Sequence, residues 1–137
     1  MVQLKRAYDK PADADGQRFL VERLWPRGVK KSSLPINAWL KDAAPSTKLR
    51  KWFSHDPAKW AEFRKRYWAE LAANPEAWQP LVDAARKGTI TLIYSSHDGE
   101  HNNAVALKDF IETKISSAKG ARKSSDKKPR GTMRPAK

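Results

Sequence analysis

RFLVERLWPRG, residues 18–28, is apolar without interruption at Phe19, Leu20 and Val21 and is closed by Pro26 and Gly28. A strand with one face in water alternates apolar and polar residues. A strand covered on both faces does not, and strands of that second kind belong to parallel sheets. Arg18–Trp25 is therefore expected to be a buried strand. TITLIY, residues 89–94, follows Gly88 and has the same character with β-branched side chains. A further strand is expected over Gln3–Tyr8, stopped by the turn-forming DKPADADG of residues 9–16.

Between Ser33 and Lys87 the pattern turns helical. Ser33 precedes Pro35 and Ser46 follows Pro45, while Asp56–Pro57 and Asn74–Pro75 each pair an N-cap residue with a first-turn proline, whose missing N–H costs nothing there. Trp60, Phe63, Tyr67 and Leu71 recur three and four apart and make one apolar face; Glu62 and Arg66 meet at i, i+4 on another. The next helix should bury Trp78, Leu81, Val82 and Ala85 and stop at Gly88. A last helix is expected over about 99–114, with Ala104, Leu107, Phe110 and Ile111 inward. The fold class is therefore α/β: a small open, mostly parallel sheet of about three strands with helices packed on its faces. One connection is short. Nine residues, 9–17, join the first two strands, where a parallel crossover usually takes about a dozen. Extended, they reach about 30 Å, enough to run back along a strand of about 20 Å. Parallel and antiparallel pairing both stay open.

The 137 residues suit one domain. Lys and Arg number 28 against 15 Asp and Glu, a formal charge of +13, and eight of those cations fall in residues 116–137 against Asp126 alone. That segment offers Met133 as its one sizeable apolar side chain and cannot bury enough surface to order itself. The expected division is a domain over 1–115 and a disordered basic tail over 116–137. Such charge attracts nucleic acid, acidic protein surfaces or anionic membranes without selecting among them. The absence of cysteine excludes disulfides, thiolate metal sites and thiol chemistry. No apolar run approaches the ~20 residues that span a bilayer, and MVQLKRAYDKP lacks a signal peptide's apolar core. A cytoplasmic protein without membrane association is expected.

The blocks VERLWPRG (21–28), APSTKLRKWFSHDPAKW (44–60) and LIYSSHDGEHNNAVAL (92–107) occur in an order that resembles the YeaO-like family, small bacterial proteins grouped under a domain of unknown function. The resemblance spans about residues 3–114. It implies an open α/β sheet with helices on both faces and brings no activity with it. Larger, more distant relatives carry a cysteine near the end of the last strand and Cys-His-Arg at the next helix start; the similar positions here are Ser95 and Glu100, His101, Asn102. A thiol-dependent role does not carry over.

In open parallel sheets ligands bind beyond the carboxyl ends of the strands, which gathers Tyr8, Asp9, Arg23–Gly28 and Ser95–Asn103. The expected ligand is small, anionic and phosphate-bearing, a nucleotide being one form. Arg23 and Arg27 offer forked donors for such an anion, and His55, Ser95 and Asn102 complete the candidate binding set. His97, His101 and Asp98 are candidates for acid–base work, because imidazoles titrate near neutrality. A helix start after Tyr94 adds free N–H groups. The structural alternative is that Asp98 caps this helix, Asn102 and Asn103 bond nearby loops, and Arg23 pairs with Asp9 or Glu22. His97, Glu100 and His101 spell the H-x-x-E-H order of a zinc-protease class, but Gly99 puts His97 in a turn rather than on a continuous helix, so no metal site is expected. The pattern names no cofactor, reaction or oligomeric state.

A second reading is a non-catalytic nucleic-acid accessory protein. Residues 49–68 interleave bases with aromatics, including Arg64, Lys65 and Arg66, which suits phosphates and stacked bases unless the aromatics are core. In the tail, Lys127, Lys128, Arg130 and Arg134 are the candidate phosphate contacts. Pro129-Arg130-Gly131 and Arg134-Pro135 resemble an AT-hook, but Thr132 and Met133 interrupt its core, so weak sequence-independent attraction is expected. A third reading is a partner-binding adaptor with exposed tryptophans.

Overall fold

In a computed structural model, which describes residues 1–54 and 56–123, strands β1 (Val2–Arg6), β2 (Gln17–Leu20), β3 (Ala38–Trp39) and β4 (Ile90–Tyr94) form one open sheet. The order is β1-β4-β2-β3 and every pairing is parallel, with Leu92 of β4 opposite Leu4 on one side and Phe19 on the other. The helices are α1 (Thr47–Phe53), α2 (Trp60–Ala72), α3 (Pro75–Lys87) and α4 (Asn103–Lys123). No described helix is long and apolar enough to cross a membrane.

Side chains alternate across the sheet, and the two faces have different cover. Val2, Phe19, Val21, Ile90, Leu92 and Tyr94 share one cluster with Leu49 and Phe53 of α1, Phe63, Tyr67 and Leu71 of α2, Trp78, Leu81 and Val82 of α3 and Leu107, Phe110 and Ile111 of α4. Ala7, Leu20 and Ile93, on the other face, pack with Leu34, Trp25, Val29, Ile36 and Trp39 from the irregular chain around residues 25–39. All four α-helices therefore lie on one face, unlike the two-sided arrangement implied by the resemblance. Chain direction accounts for this. From β1 to β2 to β3 the chain steps one way across the sheet, and from β3 to β4 it steps back. A crossover that keeps its hand while reversing its step must change faces.

The connection from β1 to β2 is parallel and passes over β4. It is pinned by charge rather than by a helix. The Asp15 carboxylate accepts from Lys5 Nζ at 2.9 Å, from the Ala12 amide at 3.0 Å and from the Arg18 guanidinium, and Thr91 Oγ1 of β4 donates to the Asp15 carbonyl at 2.7 Å. Gly16 then turns the chain at φ +64°, where an added Cβ would sit 2.1 Å from the Thr89 carbonyl oxygen.

Several boundaries differ from those read in the sequence. Among the described residues there are four strands rather than about three, because β3 is too short to show a period. β1 and β2 end at Arg6 and Leu20, before the expected Tyr8 and Trp25; one further bond each, Ala7 N–H to Tyr94 O at 2.7 Å and Val21 N–H to Ile93 O at 3.2 Å, closes the ladders. Lys31–Ser33 and Lys41–Ala43 are single 3-10 turns, and the first α-helix begins only after Ser46, whose hydroxyl accepts from the Leu49 amide and caps α1. Asp56 caps as expected, accepting from the Ala58 amide, but it caps a short 3-10 turn that leads into α2. α4 starts at Asn103 rather than near residue 99 and continues to Lys123 rather than ending near residue 114.

Candidate functional site

Because the chain leaves β2 toward one face and β4 toward the other, a crevice opens between their carboxyl ends. A reversal of this kind is where open α/β sheets usually hold ligands. Here it is a cleft of about 470 Å³. Residues 22–27 form one wall and 95–98 with Asn102 and Asn103 the other; Ala44, Pro45, Arg50, Phe53 and Phe63 close it from the helical side. Specific ties hold the walls. Arg6, at the end of β1, donates through Nε to Ser96 O at 3.0 Å and through a terminal nitrogen to Ser95 O at 3.3 Å. Asn103 Nδ2 donates to Val21 O at 2.7 Å, which fastens the start of α4 to the end of β2.

The expected binding residues are only partly assembled here. Arg23, Arg27, Ser95 and Asn102 all border the cleft. Arg23 does not pair with Asp9 or Glu22: its Nε donates to Pro45 O at 2.8 Å, with Asp42 3.7 Å from another nitrogen. A terminal nitrogen also donates to Ala44 O at 3.5 Å, so all three guanidinium nitrogens brace the segment before α1 while the residue borders the cleft. Arg27 and Arg50 are exposed at the rim. Asn102 is buried and structural, since its Oδ1 accepts from the Val105 amide and its Nδ2 donates to Asp98 O. His55 and the tail residues Lys127, Lys128, Arg130 and Arg134 lie outside the described residues.

The acid–base candidates separate. His97 is exposed on the cleft wall, 3.4 Å through Nδ1 from an Arg6 nitrogen that can only donate. His101 does not border the cleft; its Nδ1 lies 3.0 Å from Asp98 Oδ2 and its ring meets Trp60 edge-on at 5.3 Å. Asp98 accepts from the Glu100 and His101 amides at 2.8 and 3.0 Å, and these bonds hold its carboxyl below the ordinary value of 3.8. The amides expected to attract an external anion are thus occupied by Asp98 and Asn102. Among the described residues no group of three or more His, Asp or Glu is placed to hold a metal ion.

Sequence reading undervalued two residues. Arg6 passed as a strand residue, yet it anchors the wall after β4. Glu22 passed as a structural partner for Arg23, yet its carboxylate borders the cleft and accepts from Ser95 Oγ at 2.6 Å. Burial pushes that carboxyl above its ordinary 4.5, against hydrogen bonds from Ser95 and Asn103 and the charge of Arg50. An acidic residue just after an apolar strand, beside two arginines, was the available signal.

Comparison with known proteins adds kinship but no activity. No solved structure matches the chain. The "Uncharacterized protein YeaO" of Escherichia coli strain K12 is 43% identical over 112 residues, 82% of this chain and 97% of that one. The "Uncharacterized protein Mb3100c" of Mycobacterium bovis and "Uncharacterized protein Rv3073c" of Mycobacterium tuberculosis are each 44% identical over 110 residues, 80% of this chain and 92% of theirs. Residues 1–129 match the family model described as the inactive DUF488-N3 subclade. The chain belongs to this family, alongside YeaO.

Proposed function

We propose that the cleft binds a small anionic, phosphate-bearing ligand, of nucleotide size or below, and holds it without turning it over. The carrying observation is the cleft at the reversal point of the sheet, bordered by Arg23, Arg27 and Arg50. Its volume falls within the range of about 300–1,000 Å³ usual for small-molecule sites, and its base is apolar through Phe53 and Phe63. Among the described residues the exposed Arg27 guanidinium meets no hydrogen-bonding or ion-pair partner, so an anion reaches it without displacing one. Binding without turnover is supported by the family description and by the engagement of the Asp98 carboxylate, on the cleft wall, with two backbone amides and with His101, which does not border the cleft.

The nucleic-acid reading has less support from the folded body. Arg64 is paired with Asp109 at 3.0 Å and Arg66 with Glu62 at 2.9 Å, and Arg66 already covers the Trp52 ring at 4.2 Å. Phe63 and Tyr67 are core. The adaptor reading lacks its surface, because none of the six tryptophans is exposed.

Calorimetric titration of the full chain with inorganic phosphate and with adenosine monophosphate tests the proposal. Both should bind, and the double variant Arg27→Ala, Arg50→Ala should bind about tenfold or more weakly, as expected for losing charge-assisted hydrogen bonds. Arg23 is left intact because it braces the wall. Equal affinity in the double variant, or no heat and no thermal stabilisation with either ligand, refutes the reading.

A further inference from the structure

The cleft is not uniformly cationic. At its inner end the Glu22 side chain, less than half exposed, sits with the Ser95 hydroxyl and the Asn103 amide, and all three border the cavity. Each has a fixed neighbour. Ser95 Oγ donates to one Glu22 oxygen, Asn103 Nδ2 donates to Val21 O, and the Glu22 main-chain carbonyl accepts from Trp39 Nε1 at 2.6 Å, which secures the residue from below. A carboxylate that still has acceptor capacity, a hydroxyl lone pair and an amide oxygen remain. A bare phosphate offers that set of acceptors one or two P–OH donors at most, and none once those are ionised. A carboxylate facing the same cavity repels it.

We infer that the cleft selects a phosphorylated sugar, free or as part of a nucleotide, whose hydroxyl groups donate to Glu22 and its Ser95–Asn103 surround while the phosphate meets the arginines at the rim. This rests on the anion-binding reading and deepens it. A carboxylate is the usual protein partner for sugar hydroxyls, because it accepts two donors from neighbouring carbons at once. The apolar faces of Phe53 and Phe63 suit the carbon side of a sugar or the plane of a base. The burial that lifts the Glu22 carboxyl also makes an unanswered acceptor costly, and this turns the group into a filter against ligands without donors.

Three probes on the intact wild-type chain separate this inference from the one beneath it: inorganic phosphate, propyl phosphate, which has the phosphate and an alkyl body but no hydroxyl, and ribose 5-phosphate. Ribose 5-phosphate should bind about tenfold or more tightly than propyl phosphate, the effect of one or two hydrogen bonds to a charged acceptor. In Glu22→Gln, with folding verified by its melting curve, that ratio should collapse to about threefold or less. If propyl phosphate and ribose 5-phosphate bind wild type equally, the sugar inference fails while anion binding stands. If Glu22→Gln keeps the full ratio, the hydroxyls are read elsewhere and the inference also fails. If none of the three binds, both readings fall together. The wild-type comparison decides even if the variant does not fold.

Discussion

Replacing Asp15 with alanine is expected to cost more stability than its place in a loop suggests. Asp15 is 4% exposed and holds the Arg18 guanidinium, whose side chain is 7% exposed. Arg18 has little else: Nε donates to Pro35 O at 2.6 Å, and one terminal nitrogen is buried without a partner. Removing the carboxylate leaves a buried cation uncompensated, which typically costs about 3–5 kcal/mol. Lys5, at 21% side-chain exposure, turns to water and adds little. For a domain near this size that loss lowers the melting temperature by about 12–20 °C. Urea denaturation followed by tryptophan fluorescence measures it, with Asp13→Ala, an exposed change in the same turn, expected within about 0.5 kcal/mol of wild type. Adding Arg18→Met to Asp15→Ala should recover part of the loss, because the stranded charge is gone. A cost below about 1 kcal/mol for Asp15→Ala, at unchanged denaturant slope, would refute the claim that this ion cluster fixes the crossover. The acid limb has a sign as well. Burial raises the Asp15 carboxyl, but Lys5, the Ala12 amide and Arg18 outweigh it and hold it below 3.8, so its contribution is present above that pH and is lost as the pH falls further.

Other outcomes follow from single sites. Gly16→Ala should unfold the domain or cost several kcal/mol, since it combines a left-handed φ with a 2.1 Å approach to a carbonyl oxygen; a near-native melting curve would count against the turn as described. Tyr67→Phe should cost about 1–3 kcal/mol by stranding the Ala43 carbonyl, which accepts from the buried Tyr67 hydroxyl. Glu22 acts in the opposite sense to Asp15. Its folded carboxyl lies above the unfolded 4.5, so stability falls as pH rises through that window, and the difference between wild-type and Glu22→Gln melting curves should follow it; a flat difference would argue against burial of this group. For the basic tail, gel shifts on duplex DNA should give log K against log salt a slope near −4.5 if about five cations contact phosphates, and deleting residues 124–137 should flatten most of it; equal slopes move binding onto the folded body.

What was readable in the sequence was whatever local chemistry settles. Phe19-Leu20-Val21 and Ile90–Tyr94 had to be buried strands, and Trp60, Phe63, Tyr67 and Leu71 had to share a face, because nothing else hides those side chains. Ser46 and Asp56 cap as their types demand. Strand order was not readable, since it depends on which elements pair over long separations, and a two-residue strand such as Ala38–Trp39 has no period to detect. The position of the cleft followed from the sheet type, whereas the side chains that matter in it did not. Arg6 gains its role only because β1 lies beside β4, and Glu22 only because Ser95 comes to meet it from 73 positions along the chain. Conversely, Asp98 and Asn102 looked available because their chemistry is versatile, and local backbone amides had already claimed them.

The strand order also governs when the molecule comes into being. β4 is the last strand to leave the ribosome, yet it is the central partner of both β1 and β2, which never touch each other in the ladder. Until Ile90–Tyr94 is made, β1 stands alone and β2 has at most two residues of β3 beside it, so the nascent chain holds exposed strand edges with nothing to close them. Assembly therefore waits for a single late insertion between distant segments, a topology that slows folding and makes it all-or-none. The same insertion brings Ser95 to Glu22, so no chain that stops short of β4 carries the cleft.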